Sequence, residues 1–285
     1  MVWNCEGSLV VGRARSAGEA SNHFPGAVDA VRVWDRVLTA EDAAEQANVA
    51  VLRARLALDE RTGTTTAESV SGQAAVISGG ATWAGTPVDP DDPDQVRTGE
   101  NEWLHFGSAG TGEVSASRPV NLRTDRSYTV SAWARVDSAG FTRTAVSLGD
   151  SQYSPFMLQY RPENRQWAFL MTRGSTTSAW WIAFSDNPIA STGQWVHLAG
   201  TYDAVSGRIA LYVNGDRQLH NFSGTTADGG GVTGWNGSGP LWLGRGLWGA
   251  QKADTWHGGV DDARVYSGVL TTEEIRTVYE STRHF

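Results

Sequence analysis

Apolar residues in this chain fall mostly in short alternating runs. Ser127 to Val136 places Tyr128, Val130, Ala132 and Ala134 on one face, the period-2 signature of a half-buried strand. Gln194 to Asp203 reads the same way. Gly207 to Leu219 carries Asn214-Gly215, the pair favoured in type I' hairpin turns. The runs RQWAFLM and SAWWIAF are also strand-like, and Trp180 and Trp181 point to opposite faces, one inward and one outward. Gly- and Ser-rich breaks separate these runs. Two segments read as helices, each behind a Thr with an acid three residues later: Thr39 with Asp42, and Thr271 with Glu274. The pattern predicts an all-β chain, a two-sheet antiparallel sandwich with short peripheral helices.

The chain also repeats itself. Residues 24–42 and 256–274 align without a gap, with nine of nineteen positions identical. The match extends back to Gly12-Arg13 against Gly244-Arg245, at a constant offset of 232. That period is too long for a solenoid unit and suits tandem copies of a whole domain. Residues 1–47 then read as the C-terminal remnant of a preceding domain, and 48–285 as a complete one. Val10, Val11, Val28, Val31 and Val33 of the remnant cannot bury one another, because a lone hairpin is marginal. They are expected to lie against the full domain, to pair between chains in self-association, or to await a missing half. Ala84 to Gln95, with its Pro and Asp residues, reads as a surface loop.

Composition narrows the function. The 23 basic and 31 acidic residues give a net charge of -8, which argues against a nucleic-acid groove. No apolar run approaches the roughly 20 residues of a membrane helix, so membrane insertion is not expected. Cys5 is the only cysteine, which excludes an internal disulfide. The N-terminus lacks the basic and apolar regions of a signal peptide, so any export signal is expected upstream. Thirteen Trp are more than a core of this size needs, leaving room for a ring-lined surface site. No E-x-D-x-E run, G-x-S-x-G, HExxH, CxxC or P-loop occurs, and no catalytic residue is assigned.

The motifs WVHLAGTYDAVSGRIALYVNGDRQ and GGVDDARVYSGVLTTEEI resemble the laminin G-like, concanavalin A-like jellyroll group, in the form common in secreted actinobacterial proteins. Trp195, His197, Gly200, Tyr202, Asp203, Gly207, Asn214 and Gly215 carry the first motif. Gly259, Asp261, Asp262, Arg264, Tyr266, Leu270 and Glu274 carry the second. LALDERTGTTTAESVSG resembles the group's opening strand, with Glu68 where Asp is usual. The resemblance implies a jellyroll sandwich, an extracellular or cell-surface location, and a non-catalytic binding or adhesion role toward a glycan or another protein. A structural spacer or protein-contact module is the alternative, and a glycoside hydrolase a further one.

Candidate sites follow. The resemblance implies a structural calcium, with Asp261, Glu68 and Asn101 as ligands converging from separate loops. The other reading of the Asp261-Asp262 pair is a carboxylate that accepts backbone N–H groups or pairs with Arg264. For carbohydrate, Trp235 and Trp248 in Gly-rich sequence, with Asn236, are the candidates: rings for stacking and an amide for hydroxyls. Plain loop anchoring is the alternative for both rings. Trp242 and Trp256 are expected in the core, His197 in a structural role, and Asp203 as a turn cap.

Overall fold

The computed structural model describes residues 9–16, 18–28, 31, 33–38, 49–85, 102–219 and 221–283. Asn101, the segment after Thr39 with Asp42, and most of the Pro- and Asp-rich loop lie outside them. The chain divides into two compact units, Met1–Ala40 and Glu41–Phe285.

In the first unit, β1 (Ala14–Ser16) pairs antiparallel with β2 (Glu19–Ser21), and Ala14 faces Ser21. Val10, Val11, Phe24, Val28, Val31 and Val33 are exposed.

The second unit opens with β3 (Val51–Leu56), β4 (Thr65–Ala67), β5 (Ala74–Ser78), β6 (Ala81–Gly85), β7 (Glu102–Phe106) and β8 (Glu113–Ala116). Its middle holds β9 (Tyr128–Val136), β10 (Arg143–Leu148), β11 (Phe156–Arg161), β12 (Gln166–Thr172), β13 (Trp180–Phe184) and β14 (Trp195–Asp203). It closes with β15 (Arg208–Val213), β16 (Asp216–Arg217), β17 (Asn221–Ser223), β18 (Leu241–Leu243), β19 (Gly246–Trp248), β20 (Gln251–Ala253), β21 (Gly258–Ser267) and α1 (Thr272–Ser281).

Two antiparallel sheets carry the fold. One runs β17-β13-β12-β11-β10-β18-β8-β5-β4; the other runs β16-β15-β14-β9-β21-β7-β6, with β3 also on β21. The closing strand thus pairs with the opening one, Ala263 facing Leu56. The period-2 pattern builds the interior. Tyr128, Val130, Ala132, Ala134 and Val136 of one sheet meet Phe156, Leu158, Tyr160, Trp167, Phe169 and Met171 of the other in one core. At its centre Tyr128 packs on Phe156, Phe169 and Tyr202, with ring centroids 5.2, 6.3 and 5.7 Å away. Gly200 lies against the Phe169 ring, where a Cβ would clash. Asn214 and Gly215 both have positive φ, as a type I' turn requires.

The helix α1 starts at the expected capping box. The Glu274 amide donates to Thr271 Oγ1, and the Thr271 amide donates to Glu274 Oε2. This end of the chain packs over the outer face of the β14 sheet, where buried His197 meets the rings of Trp133 and Tyr279.

Alternation fails at one place in β21. A bulge between Asp261 and Arg264, with Asp262 at φ +39, leaves both Val260 and Ala263 in the core. Strict alternation would put one Asp inside and one outside; instead both are buried.

Candidate binding site

Strands β11 to β13 have a second face. Residues that alternate with the core set, Met157, Ala168, Leu170 and Ile182, form a separate apolar cluster with Phe184 and Trp248. The hairpin β19–β20 lies on this outer face. It is fastened by Ser147 Oγ donating to the Arg245 carbonyl (2.6 Å) and by reciprocal bonds between Leu247 and Ser154. Gly246 makes the approach possible, since a Cβ there would stand 2.7 Å from Met157 Sδ.

Between hairpin and sheet opens a pocket of about 480 Å³. Its apolar lining is Leu170, Trp180, Trp248 and Ala253; its polar lining is Gln159, Arg161, Ser178 and Asp254. Trp180 is 40% exposed. It meets Trp248 edge to face, with centroids 6.0 Å apart and planes at 62°. Tyr153 supports Trp248 at 5.1 Å and 89°. The two indoles therefore form a propped corner. Gln159 Nε2 donates to Asp254 Oδ2 (3.1 Å) and to Thr144 Oγ1 (2.9 Å). Burial raises the Asp254 carboxyl above its ordinary value, and the Arg161 charge opposes that rise. One cation, one carboxyl and one amide thus surround the indole corner. Such a site suits a ligand with an apolar face and several hydroxyls at its edge.

Of the three expected carbohydrate residues, Trp248 lines this pocket and the other two are elsewhere. Trp235 Nε1 donates to the Thr172 carbonyl and to Thr172 Oγ1, both at 3.0 Å. Asn236 Oδ1 accepts from Arg118 Nη2 (2.8 Å) and the Thr124 amide (3.2 Å). Both residues staple their Gly-rich loop to the sandwich. Trp256 is in the core, and Trp242 is buried beneath the Arg245 guanidinium, 3.7 Å from its ring centroid. Asp203 caps its turn, accepting from the amides of Val205 and Ser206.

Two of the three expected calcium ligands, Glu68 and Asp261, lie among the described residues. Glu68 uses both carboxylate oxygens on backbone amides, those of Arg55, Val70 and Ser71. Burial alone would raise this carboxyl, but those bonds hold it below its ordinary value. Asp261 is 2% exposed and its Oδ1 has no partner. Burial, then the charges of Asp262 and Asp59, push it up to about 9. Asn101 lies outside the described residues. Among those described, no three His, Cys, Asp or Glu side chains are grouped to hold a metal ion. The Arg264 partner proves to be Asp262, which also pairs with Arg55.

Gln159, Arg161 and Asp254 were not singled out in the sequence. The first two carried a usable signal, being two apart on the non-core face of a strand. Asp254 carried none, because it reaches the pocket from a hairpin laid over another strand.

Residues 108–276 match the profile of the concanavalin A-like lectin/glucanases superfamily. Among curated protein sequences none matches. Several solved structures share the fold. Domain 4 of AbnA, an extracellular arabinanase from Geobacillus stearothermophilus solved with arabinotriose, is 18% identical with a TM-score of 0.57; the alignment covers 81% of this chain and 98% of that one. The binding domain of Paraclostridial Mosquitocidal Protein 1 is 13% identical (TM-score 0.57), with 81% and 52% covered. Trypanosoma rangeli sialidase is 18% identical (TM-score 0.53), with 82% and 33% covered, so this chain spans about a third of it. With more than half of its length inside that profile and its two sheets in place, the chain belongs to the concanavalin A-like lectin/glucanases superfamily.

Proposed function

We propose that this protein is a non-catalytic, extracellular carbohydrate-binding module, and that its site is the pocket between β19–β20 and β11–β13. The observation that carries the reading is the Trp180–Trp248 corner beside Gln159, Arg161 and Asp254. A sugar ring has an apolar C–H face for an indole and hydroxyls for the amide, guanidinium and carboxyl. The likeness to an arabinanase domain solved with arabinotriose supports the ligand class. Among the described residues a single carboxyl lines the pocket, whereas glycoside hydrolysis ordinarily needs two flanking the bond. That supports binding without cleavage. No calcium enters this reading.

The test is calorimetric titration with arabinotriose, xylotriose, cellotriose and sialyllactose, with product analysis of the same mixtures. Binding of at least one sugar, its loss in Trp180→Ala, and no cleavage are expected. Failure to bind any of the four at millimolar concentration, or equal binding by Trp180→Ala, would contradict the proposal.

A further inference from the structure

The two copies of the repeat share a backbone at the hairpin that borders the pocket. Offset by 232, β1 and β2 fall on β19 and β20 residue for residue, and the pairs Ala14–Ser21 and Gly246–Ala253 correspond. Gly12 and Gly244 enter at φ +83 and +87. Asn22 and Asp254 leave at φ +50 and +54, a left-handed conformation that Asn and Asp tolerate. The Phe24 amide donates to the Gly12 carbonyl at 2.8 Å, and the Trp256 amide to the Gly244 carbonyl at 2.7 Å. The frame is one structure built twice.

Its contents differ. Across residues 14–21 against 246–253 no position is identical, while the following segment keeps nine of nineteen. Divergence is concentrated in the stretch that borders the pocket in the second unit. The three pocket-lining positions from this hairpin are Trp248, Ala253 and Asp254; the other copy has Ser16, Ser21 and Asn22 there. An indole becomes a hydroxyl, a methyl becomes a hydroxyl, and a carboxyl becomes an amide.

We infer that this hairpin is the specificity element of the fold, a fixed backbone frame whose pocket-facing side chains are exchanged to change which sugar is bound. The inference rests on the carbohydrate reading of the pocket. The frame tolerates exchange because its backbone is set by left-handed positions at its ends (Gly244, Asp254) and its turn (Gly249, Ala250) and by the closing amide bond, not by the side chains at 248 and 253. In the present domain the hairpin supplies an aromatic wall and a carboxyl, which select a ring with an apolar face. The alternative side chains would offer only small neutral hydrogen-bonding groups.

The experiment is the triple variant Trp248→Ser/Ala253→Ser/Asp254→Asn in the full chain, titrated with arabinotriose, xylotriose, cellotriose and sialyllactose. Its melting temperature should stay within about 3 °C of wild type. Affinity for the sugar that wild type binds best should fall at least about tenfold, and the order among the four should change. Gln251→Ala, an exposed position of the same hairpin that does not line the pocket, should keep the order. An unchanged order in a folded triple variant overturns the inference and leaves the carbohydrate reading standing. A wild type that binds none of the four overturns both. If the triple variant does not fold, Trp248→Ser alone is judged by the same criteria.

Discussion

Asp261 and Asp262 are consecutive, both buried, and opposite in their pairing. Asp262 accepts from Arg55 Nε at 2.7 Å and ion-pairs Arg264 Nη2 at 2.7 Å, while Asp261 Oδ1 has no partner. The pair sits at the bulge between Asp261 and Arg264, where Asp262 has φ +39. Asp261 holds its proton in the folded chain to about 9, against 3.8 ordinarily. Unfolding therefore releases a proton across that range, and this group's contribution to stability falls as pH rises from 3.8 to about 9. Asp261→Asn cannot ionise. It should be more stable than wild type at pH 8 by about 1 kcal/mol or more, with the gap closing toward pH 4. Urea melts across pH check this, and a chelator should leave wild type unchanged. A less stable Asp261→Asn together with chelator sensitivity would show a bound cation instead.

His197 titrates in the opposite sense. Burial pulls its imidazole down from 6.5 to about 4. The folded state therefore resists protonation that the unfolded chain accepts. The associated stability is full above pH 6.5 and is lost as pH falls toward 4, by up to ~3 kcal/mol. His197→Phe keeps a ring between Trp133 and Tyr279 and removes the proton site. Its stability should fall less than that of wild type between pH 6.5 and 4. Parallel pH profiles would contradict the assignment.

Thr271 fixes the start of the helix whose Tyr279 covers His197. Thr271→Ala removes the acceptor for the Glu274 amide and should cost about 1 kcal/mol in denaturant melts. Thr271→Ser should retain most of it. A Ser variant as weak as the Ala variant would point to lost methyl packing, not lost capping.

The sandwich was legible because it is built from local signals. Tyr128 to Val136 alternates, Asn214-Gly215 turns, and Thr271 caps, each within a few residues. The pocket was legible only in part. Alternation put one of Trp180 and Trp181 on a non-core face without deciding which, and Trp248 stood out as a ring in Gly-rich sequence. Trp235 looked equivalent to Trp248 by composition, yet its indole N–H is spent on Thr172, 63 positions away. Such long-range bonds leave no mark in local sequence. The bulge at Asp262 was hidden for a different reason: an extra residue in a strand is visible only against its partner strand. Among the repeated residues, the hairpins β1–β2 and β19–β20 have the same register.

The most direct test of the central claim is an NMR titration of the indole N–H signals with the sugar that the wild type binds. The chain has 13 Trp, and their signals can be assigned by single substitutions. Trp180 and Trp248 should shift together along one binding curve, while Trp235, held by Thr172, stays in place. Shifts confined to Trp235, or to rings outside the pocket, with Trp180 and Trp248 unmoved, would contradict it.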